Sequence, residues 1–249
     1  EPMSMSKAKA ENRPLPKRFY AEVAAARAGE GWGVFLDGRA VKTPGGNVLG
    51  APVEALAEAM AAEWEAQTTH IDPFTMPLTR LAHVVLDSIE AARDAAAAEV
   101  AKYAETDLLC HRSDDTELAA RQAEGWDTWL DWAATAIDAP LKKAVTILAL
   151  EQPQSSLATI KARALALDNW RLTGLASAVP ILGSAVLGLA LLEGELTGEE
   201  AFALSRLDET YQAERWGEDA EAMEAAANRK RDLLACERLF RLMDDAEDV

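Results

Sequence analysis

Cysteine, histidine and positive charge are all scarce in this 249-residue chain, and each shortage removes a class of function. Only two cysteines occur, Cys110 and Cys236, far apart and without a Cys-x-x-Cys spacing. That excludes a disulfide framework and fits a reducing compartment, with both thiols read as small buried hydrophobes. The histidines are three, and although His111 follows Cys110, no second Cys/His cluster completes a four-ligand zinc set. Lys and Arg number 25 against 42 Asp and Glu, a net charge of −17. Between Glu193 and Val249 there are 17 acids and 7 bases, so −10 of that total lies near the end. Such a surface repels phosphate backbones and anionic lipid heads, so neither nucleic acid nor a membrane surface is expected as a partner. It suits a basic protein partner, or simply solubility.

The signatures of chemistry are missing too. There is no GxSxG, no phosphate-binding P-loop and no GxGxxG. Gly29, Gly31 and Gly33 stand ahead of a strand pattern, whereas a phosphate-binding turn follows a strand and opens a helix. No pair of acids has a setting that would raise one carboxyl and leave the other low. No cofactor and no small-molecule substrate are therefore expected. One enzymatic alternative stays open, a metal-dependent hydrolase built from His70, Asp72, His83 and Asp87. His83 and Asp87 are four apart and share a helix face, but the same spacing makes an ordinary side-chain pair.

One stretch, Leu172 to Leu192, has no charge and is long enough to span a bilayer. It is broken by Gly174, Pro180, Gly183 and Gly188, and no basic cluster flanks it. The expectation is a buried helical hairpin turning near Pro180. The first twenty residues hold Lys7, Lys9, Arg13, Lys17 and Arg18 without an apolar segment, so no secretory signal is expected there.

What is present reads as α+β: a small N-terminal antiparallel β domain followed by a larger C-terminal α-helical domain. Residues 1–17 are expected as a flexible tail, 18–85 as the β-rich domain and 86–249 as the helical one. Phe19, Ala21 and Val23, then Trp32, Val34 and Leu36, alternate at the period of half-buried strands. Asp37-Gly38 is a two-residue hairpin signal, and Pro44 to Asn47 makes a second reversal. Beyond Pro52 the period becomes helical: Val53, Leu56, Ala57, Met60, Ala61 and Trp64 share one face. Residues 69–77, with Pro73 and Pro77, are expected to be extended. Leu78, Leu81, Ala82, Val85 and Ile89 form a further stripe, as do Trp126, Trp129, Leu130, Ala133 and Ile137. Ala144 to Leu150 reads equally as strand or helix end. Thr197 with Glu200 fits a capping box, starting a helix expected to reach about Gln212. Gly217 offers a break before a last helix ending near Leu242.

Residues 208–221 combine the features of a protein contact. Helical spacing groups Asp208, Tyr211 and Arg215, with Glu209, Gln212 and Trp216 on an adjacent strip. An aromatic bordered by carboxylates and an amide can anchor a partner and select its charge. The same residues also fit a purely structural role, Trp216 closing the core and Glu218 and Glu221 serving the next helix dipole.

The chain resembles the ATP synthase assembly chaperones that bind the alpha subunit of the catalytic head, the family of the second mitochondrial assembly factor of that complex. The matching pieces run in order from Lys17-Arg18-Phe19-Tyr20 through Leu36-Asp37-Gly38-Arg39, Thr43-Pro44, Glu63-Trp64 and Gln67. They continue with Ile71-Asp72-Pro73, Met76-Pro77-Leu78-Thr79, Tyr103, Thr106-Asp107-Leu108 and Trp126-Asp127. The series closes with Asp208-Glu209, Gln212, Trp216-Gly217 and Glu218, so the likeness covers about residues 17 to 242. It implies an ATP-independent chaperone, not an enzyme, that holds the free alpha subunit before the beta subunit arrives. It also implies a functional carboxylate near the C-terminus, with Glu209, Glu218 and Glu221 as candidates. Glu209, Gln212, Trp216, Gly217, Glu218 and Glu221 together are the expected partner-binding set. The expected location is a bacterial cytoplasm, or the mitochondrial matrix for a eukaryotic source.

Overall fold

The computed structural model describes residues 13–146 and 148–247, so most of the expected tail lies outside the described residues. The chain divides into two compact units, Glu1–Arg80 and Leu81–Val249.

The first unit is built on a four-stranded antiparallel sheet. Strands β1 (Val23–Ala28) and β2 (Gly31–Leu36) pair along their full length. On the other side of β2 lie β3 (Arg39–Ala40) and β4 (Gly50–Ala51). Asp37 and Gly38 take φ of 49° and 78°, the pair of positive values that a two-residue hairpin turn needs. The Asp37 carboxylate has a second task, accepting from the Ala21 and Glu22 N–H groups at 3.1 and 2.8 Å. The reversal at 44–47 also forms, closed by Thr43 N–H to Asn47 C=O at 2.7 Å. Helix α1 (Glu54–Glu65) packs on the sheet and buries Leu56, Ala57 and Met60 in the core that holds Val34, Leu36 and Leu49.

Two expectations for this unit need correcting. The strand begins at Val23, not at Phe19; Tyr20 turns inward and Phe19 is left exposed. Tyr20 is held there because its hydroxyl donates to the Trp64 carbonyl at 2.6 Å while Arg18 lies over its ring. Residues 69–77 are not extended throughout, since Pro73–Thr75 forms a 3-10 turn capped by the Asp72 carboxylate.

Several residues that carried the family likeness prove to be joints. The Arg18 guanidinium donates to the carbonyls of Tyr20, Glu65 and Gln67. Glu63 caps helix α2 (Pro77–Asp87), accepting from the Leu78 and Thr79 N–H groups, each at 2.8 Å. Burial pushes the Glu63 carboxyl up, against those same hydrogen bonds. The division between the units falls inside α2.

In the second unit follow α3 (Ile89–Glu105), α4 (Thr116–Ala136), α5 (Gln154–Leu165), α6 (Asn169–Leu182) and α7 (Ala185–Leu192). The apolar stretch is the expected buried hairpin, with α7 buried along its whole length. Its turn is at Gly183 and Ser184; Pro180 sits inside α6. Gly183 supplies the left-handed φ of 66°, and Ser184 Oγ accepts from Leu187 N–H at 3.0 Å to start α7. Among the described residues no helix is long and apolar enough to cross a membrane. Ala144 makes a single bridge to His111, and the described residues after it up to Leu150 are neither strand nor helix.

The carboxylate of Asp107 is fully buried beside this turn. It accepts from Leu109 N–H and Val186 N–H at 3.1 Å each, and Leu108 N–H donates to Gly183 C=O at 3.0 Å. The chain after α3 is thus pinned to the start of α7. Burial pushes the Asp107 carboxyl up to about 6, against hydrogen bonds from Ser184, Val186 and Leu109 that favour the ionised form.

The remaining helices are α8 (Gly198–Ser205), α9 (Leu207–Trp216) and α10 (Ala220–Glu247). The capping box of Thr197 and Glu200 forms in both directions. The helix expected to reach Gln212 breaks at Arg206, whose N–H is shared between the Phe202 and Ala203 carbonyls, and α9 restarts at Leu207. The last helix runs five residues past the expected end.

Two measurements test this packing. A Cβ on Gly188 would lie 2.5 Å from Val179 Cγ2, so Gly188→Val should cost about 1–3 kcal/mol in urea unfolding. Unchanged stability would show that α6 and α7 do not need this close approach. For Asp107 the folded pKa is raised, so between the ordinary carboxyl value of about 3.9 and about 6 the folded state binds the extra proton. Its contribution therefore falls as pH rises through that window, by about 3 kcal/mol in all. The difference between wild type and Asp107→Asn in unfolding free energy should shrink or reverse from pH 4 to pH 6; parallel profiles would contradict the assignment.

Candidate functional site

The acidic end of the chain forms an open groove of about 900 Å³. Helix α8 contributes Phe202, α9 contributes Glu209, Gln212 and Ala213, and α10 contributes Ala222 and Met223. The turn of Gly217, Glu218 and Asp219 closes one end. Its lining mixes apolar side chains with the acids Asp208, Glu209, Glu218 and Asp219 and the bases Arg206 and Lys230, the last paired with Glu199.

Helix α9 is fixed by one face. Tyr211 is buried, and its hydroxyl donates to Asp115 Oδ1 at 3.0 Å, the carboxylate that also caps α4. The Leu118 N–H and the Tyr211 hydroxyl hold the Asp115 carboxyl below the usual range. Arg121 and Arg215 lie over the Tyr211 ring at 5.1 and 4.4 Å. Arg121 bridges Glu117 and Glu214, and Arg215 pairs with Glu117. Buried Gln122 donates to Asp208 at 2.8 Å and accepts from Ser113 N–H at 2.8 Å. Arg215 therefore meets Tyr211, Asp208 bonds Gln122 instead, and the shared task of the three is to dock α9 on α4.

The adjacent strip is left over. Glu209 and Gln212 are exposed, and Trp216 is 82% exposed at the end of α9. Gly217 has φ of 83°, and its N–H closes the helix on Ala213 C=O at 2.9 Å. Asp219 caps α10 through Ala222 N–H at 3.2 Å, which leaves Glu218 and Glu221 free of that duty. Among the described residues, Glu209, Gln212, Glu218 and Glu221 make no side-chain hydrogen bond or ion pair. Glu209, Gln212, Gly217 and Glu218 line the groove together. Trp216 and Glu221 stand outside its lining, at the adjoining helix ends. The structural reading of Trp216 as a lid on the core is overturned by its exposure.

Sequence reasoning missed two apolar members, Phe202 and Met223. Met223, 53% exposed in the first turn of α10, breaks the usual polar composition of a helix start, and that was its signal. Glu209 also borders a second cleft of about 540 Å³, whose far wall carries Arg229, donating to the Ile181 carbonyl at 2.9 Å.

The four metal candidates do not converge. His70 bonds Thr69 Oγ1 through its ring nitrogen, Asp72 caps the 3-10 turn, and His83 and Asp87 stay on α2. Burial lowers the His83 pKa while Asp87 raises it. Among the described residues no group of three or more His, Cys, Asp or Glu side chains is placed to hold a metal ion.

A small antiparallel β unit followed by a larger helical unit that ends in an open groove is the class of fold that the chain defines. Comparison with known proteins gives that class its family. A family model described as ATP12 chaperone protein matches residues 17–134. The mitochondrial protein atp12 of Schizosaccharomyces pombe is 26% identical over 254 residues, 94% of this chain and 87% of that protein. The crystal structure of Atp12 from Paracoccus denitrificans is 43% identical with a TM-score of 0.84, covering 91% of this chain and 98% of that one. A crystal structure of an Agrobacterium tumefaciens protein superposes with a TM-score of 0.87 at 37% identity, over 98% of this chain and 92% of that one. The chain belongs to the ATP12 chaperone family, the ATP synthase assembly chaperones that its sequence resembles.

The docking of α9 is testable apart from binding. Tyr211→Phe removes one hydrogen bond to a charged acceptor and should lower the urea midpoint clearly. Gln212→Ala, on the open strip, should change stability by less than about 0.5 kcal/mol. Equal effects of the two would contradict the division of α9 into a packed and a free face.

Proposed function

We propose that this chaperone binds the free alpha subunit of F-type ATP synthase and keeps it from aggregating until the beta subunit displaces it, without using ATP. One observation carries the reading: the fold spends Asp115, Glu117, Asp208, Glu214 and Asp219 on its own packing, yet among the described residues leaves Glu209, Gln212 and Glu218 unpaired in the groove's lining and Glu221 unpaired beside it. An unassembled subunit exposes apolar interface that self-associates. An exposed tryptophan and methionine beside free carboxylates can cover such a surface while selecting basic flanks. Release requires moderate affinity, which suits a groove open to solvent. The relatives, one mitochondrial and others bacterial, support action in the matrix or in a bacterial cytoplasm.

Co-expression with the alpha subunit alone, followed by gel filtration, tests the partner. The alpha subunit should become soluble and co-elute at equal stoichiometry. Trp216→Ala should weaken the complex by roughly thirtyfold or more, the usual scale for an interface tryptophan. Glu209→Lys, Glu218→Lys and Glu221→Lys, tested singly, should rank the carboxylates by loss of co-elution. No complex with wild type would sink the partner; a complex indifferent to all four substitutions would move the site elsewhere.

A further inference from the structure

Among the described residues, one edge of strand β1 is unoccupied. The Asp37 N–H donates to Glu22 C=O at 2.9 Å, and the register runs unbroken from Val23 opposite Leu36 to Ala28 opposite Gly31. In an antiparallel ladder the hydrogen-bonding direction alternates by residue, so the even positions face β2 and the odd ones face away. The N–H and C=O groups of Val23, Ala25 and Arg27 therefore point outward, and none has a partner among the described residues. Sheet edges are normally blunted by proline, lysine, a bulge or a covering element. Here there is no bulge and no proline, and Arg27 is drawn over the Trp32 ring at 4.9 Å.

Alongside this edge runs a groove of about 210 Å³ between Val23 to Ala25 and helix α1. Its far wall is Ala61 and Ala62, flanked by the carboxylates of Glu58 and Glu65. The alanines on both walls leave room for incoming side chains. Glu58 has no ion pair among the described residues, and Glu65 stands 3.6 Å from Arg18 while remaining 62% exposed. A strand edge open among the described residues, a helix wall and two acids beside it together specify the occupant's backbone, size and charge.

We propose that this groove binds an extended segment of a partner protein, which adds to the sheet as a strand beside β1. The segment carries small apolar side chains at alternate positions and at least one Lys or Arg to meet Glu58 and Glu65. The site lies wholly in the first unit and does not depend on the acidic groove of the second. The chaperone thereby has two separate means of contact, one reading side chains and one reading backbone.

The test uses a display library of nine-residue peptides selected on the full-length protein, followed by amide exchange of the protein with an enriched synthetic peptide. Enriched sequences should alternate apolar residues and contain Lys or Arg. Protection should rise at the amides of Val23, Ala25 and Arg27 and stay unchanged at Ala24 and Ala26. Ala25→Pro removes an outward N–H without breaking the ladder to β2, so it should keep the fold and weaken the peptide at least tenfold. The double variant Glu58→Lys with Glu65→Lys should do the same for basic peptides, and decides the matter if the proline variant fails to fold. Failure to enrich such peptides, or binding indifferent to both variants, overturns the proposal. So does protection at the odd amides without peptide, whether it grows with concentration, which means a second copy pairs there, or vanishes when residues 1–12 are removed, which means the chain's own segment does.

Discussion

The carboxylate of Asp107 is the constraint around which the helical unit is arranged. A charged or polar group with no access to water must find its partners inside the protein. Asp107 finds them in backbone N–H groups of the 3-10 turn that it caps, Leu108–Cys110, and of the first turn of α7. Those donors exist only if the hairpin turns at Gly183 and the chain after α3 runs directly beneath it. One buried acid therefore sets the position of the most apolar helix in the molecule. Everything packed against α7, including α8 and α10, inherits that position.

From there the acidic groove follows by a chain of docking contacts. Trp126 donates to the Leu204 carbonyl at 3.0 Å, which ties α8 to α4. Gln122 and Asp115 then take Asp208 and Tyr211, so α9 lies on α4 with its other strip outward. Asp208 is taken by Gln122, and Arg121 and Arg215 pair with Glu214 and with Glu117 of α4, whereas Glu209 on the outer strip has no such partner among the described residues. The negative charge concentrated near the end of the chain is thus sorted by the fold into a structural part and an available part. The available part lies beside apolar side chains such as Phe202 and Met223.

Much of this was legible in the residues. The Asp37-Gly38 turn, the capping box at Thr197 and the buried hairpin all rest on local chemistry: positive φ, a hydroxyl three residues before an acid, an uncharged run broken by glycine. The two strips of α9 were likewise visible from spacing. Which strip faces inward was not, because Tyr211 and Trp216 are both aromatic and both flanked by acids. Only the presence of Asp115 and Gln122, about ninety residues earlier in the chain, decides it.

The sequence by itself determined the class of the fold, the positions of most turns and the concentration of acid at the end, since each depends on neighbours within a few residues. The tertiary structure alone decided that Tyr20 turns inward and Phe19 outward, that the helix after Thr197 breaks at Arg206, and that β1 pairs along one edge only among the described residues. It also decided that Glu63 and Arg18 are joints, not contact residues. Each of these turns on a hydrogen bond or packing contact between residues distant in sequence, and local propensity contains no information about such partners.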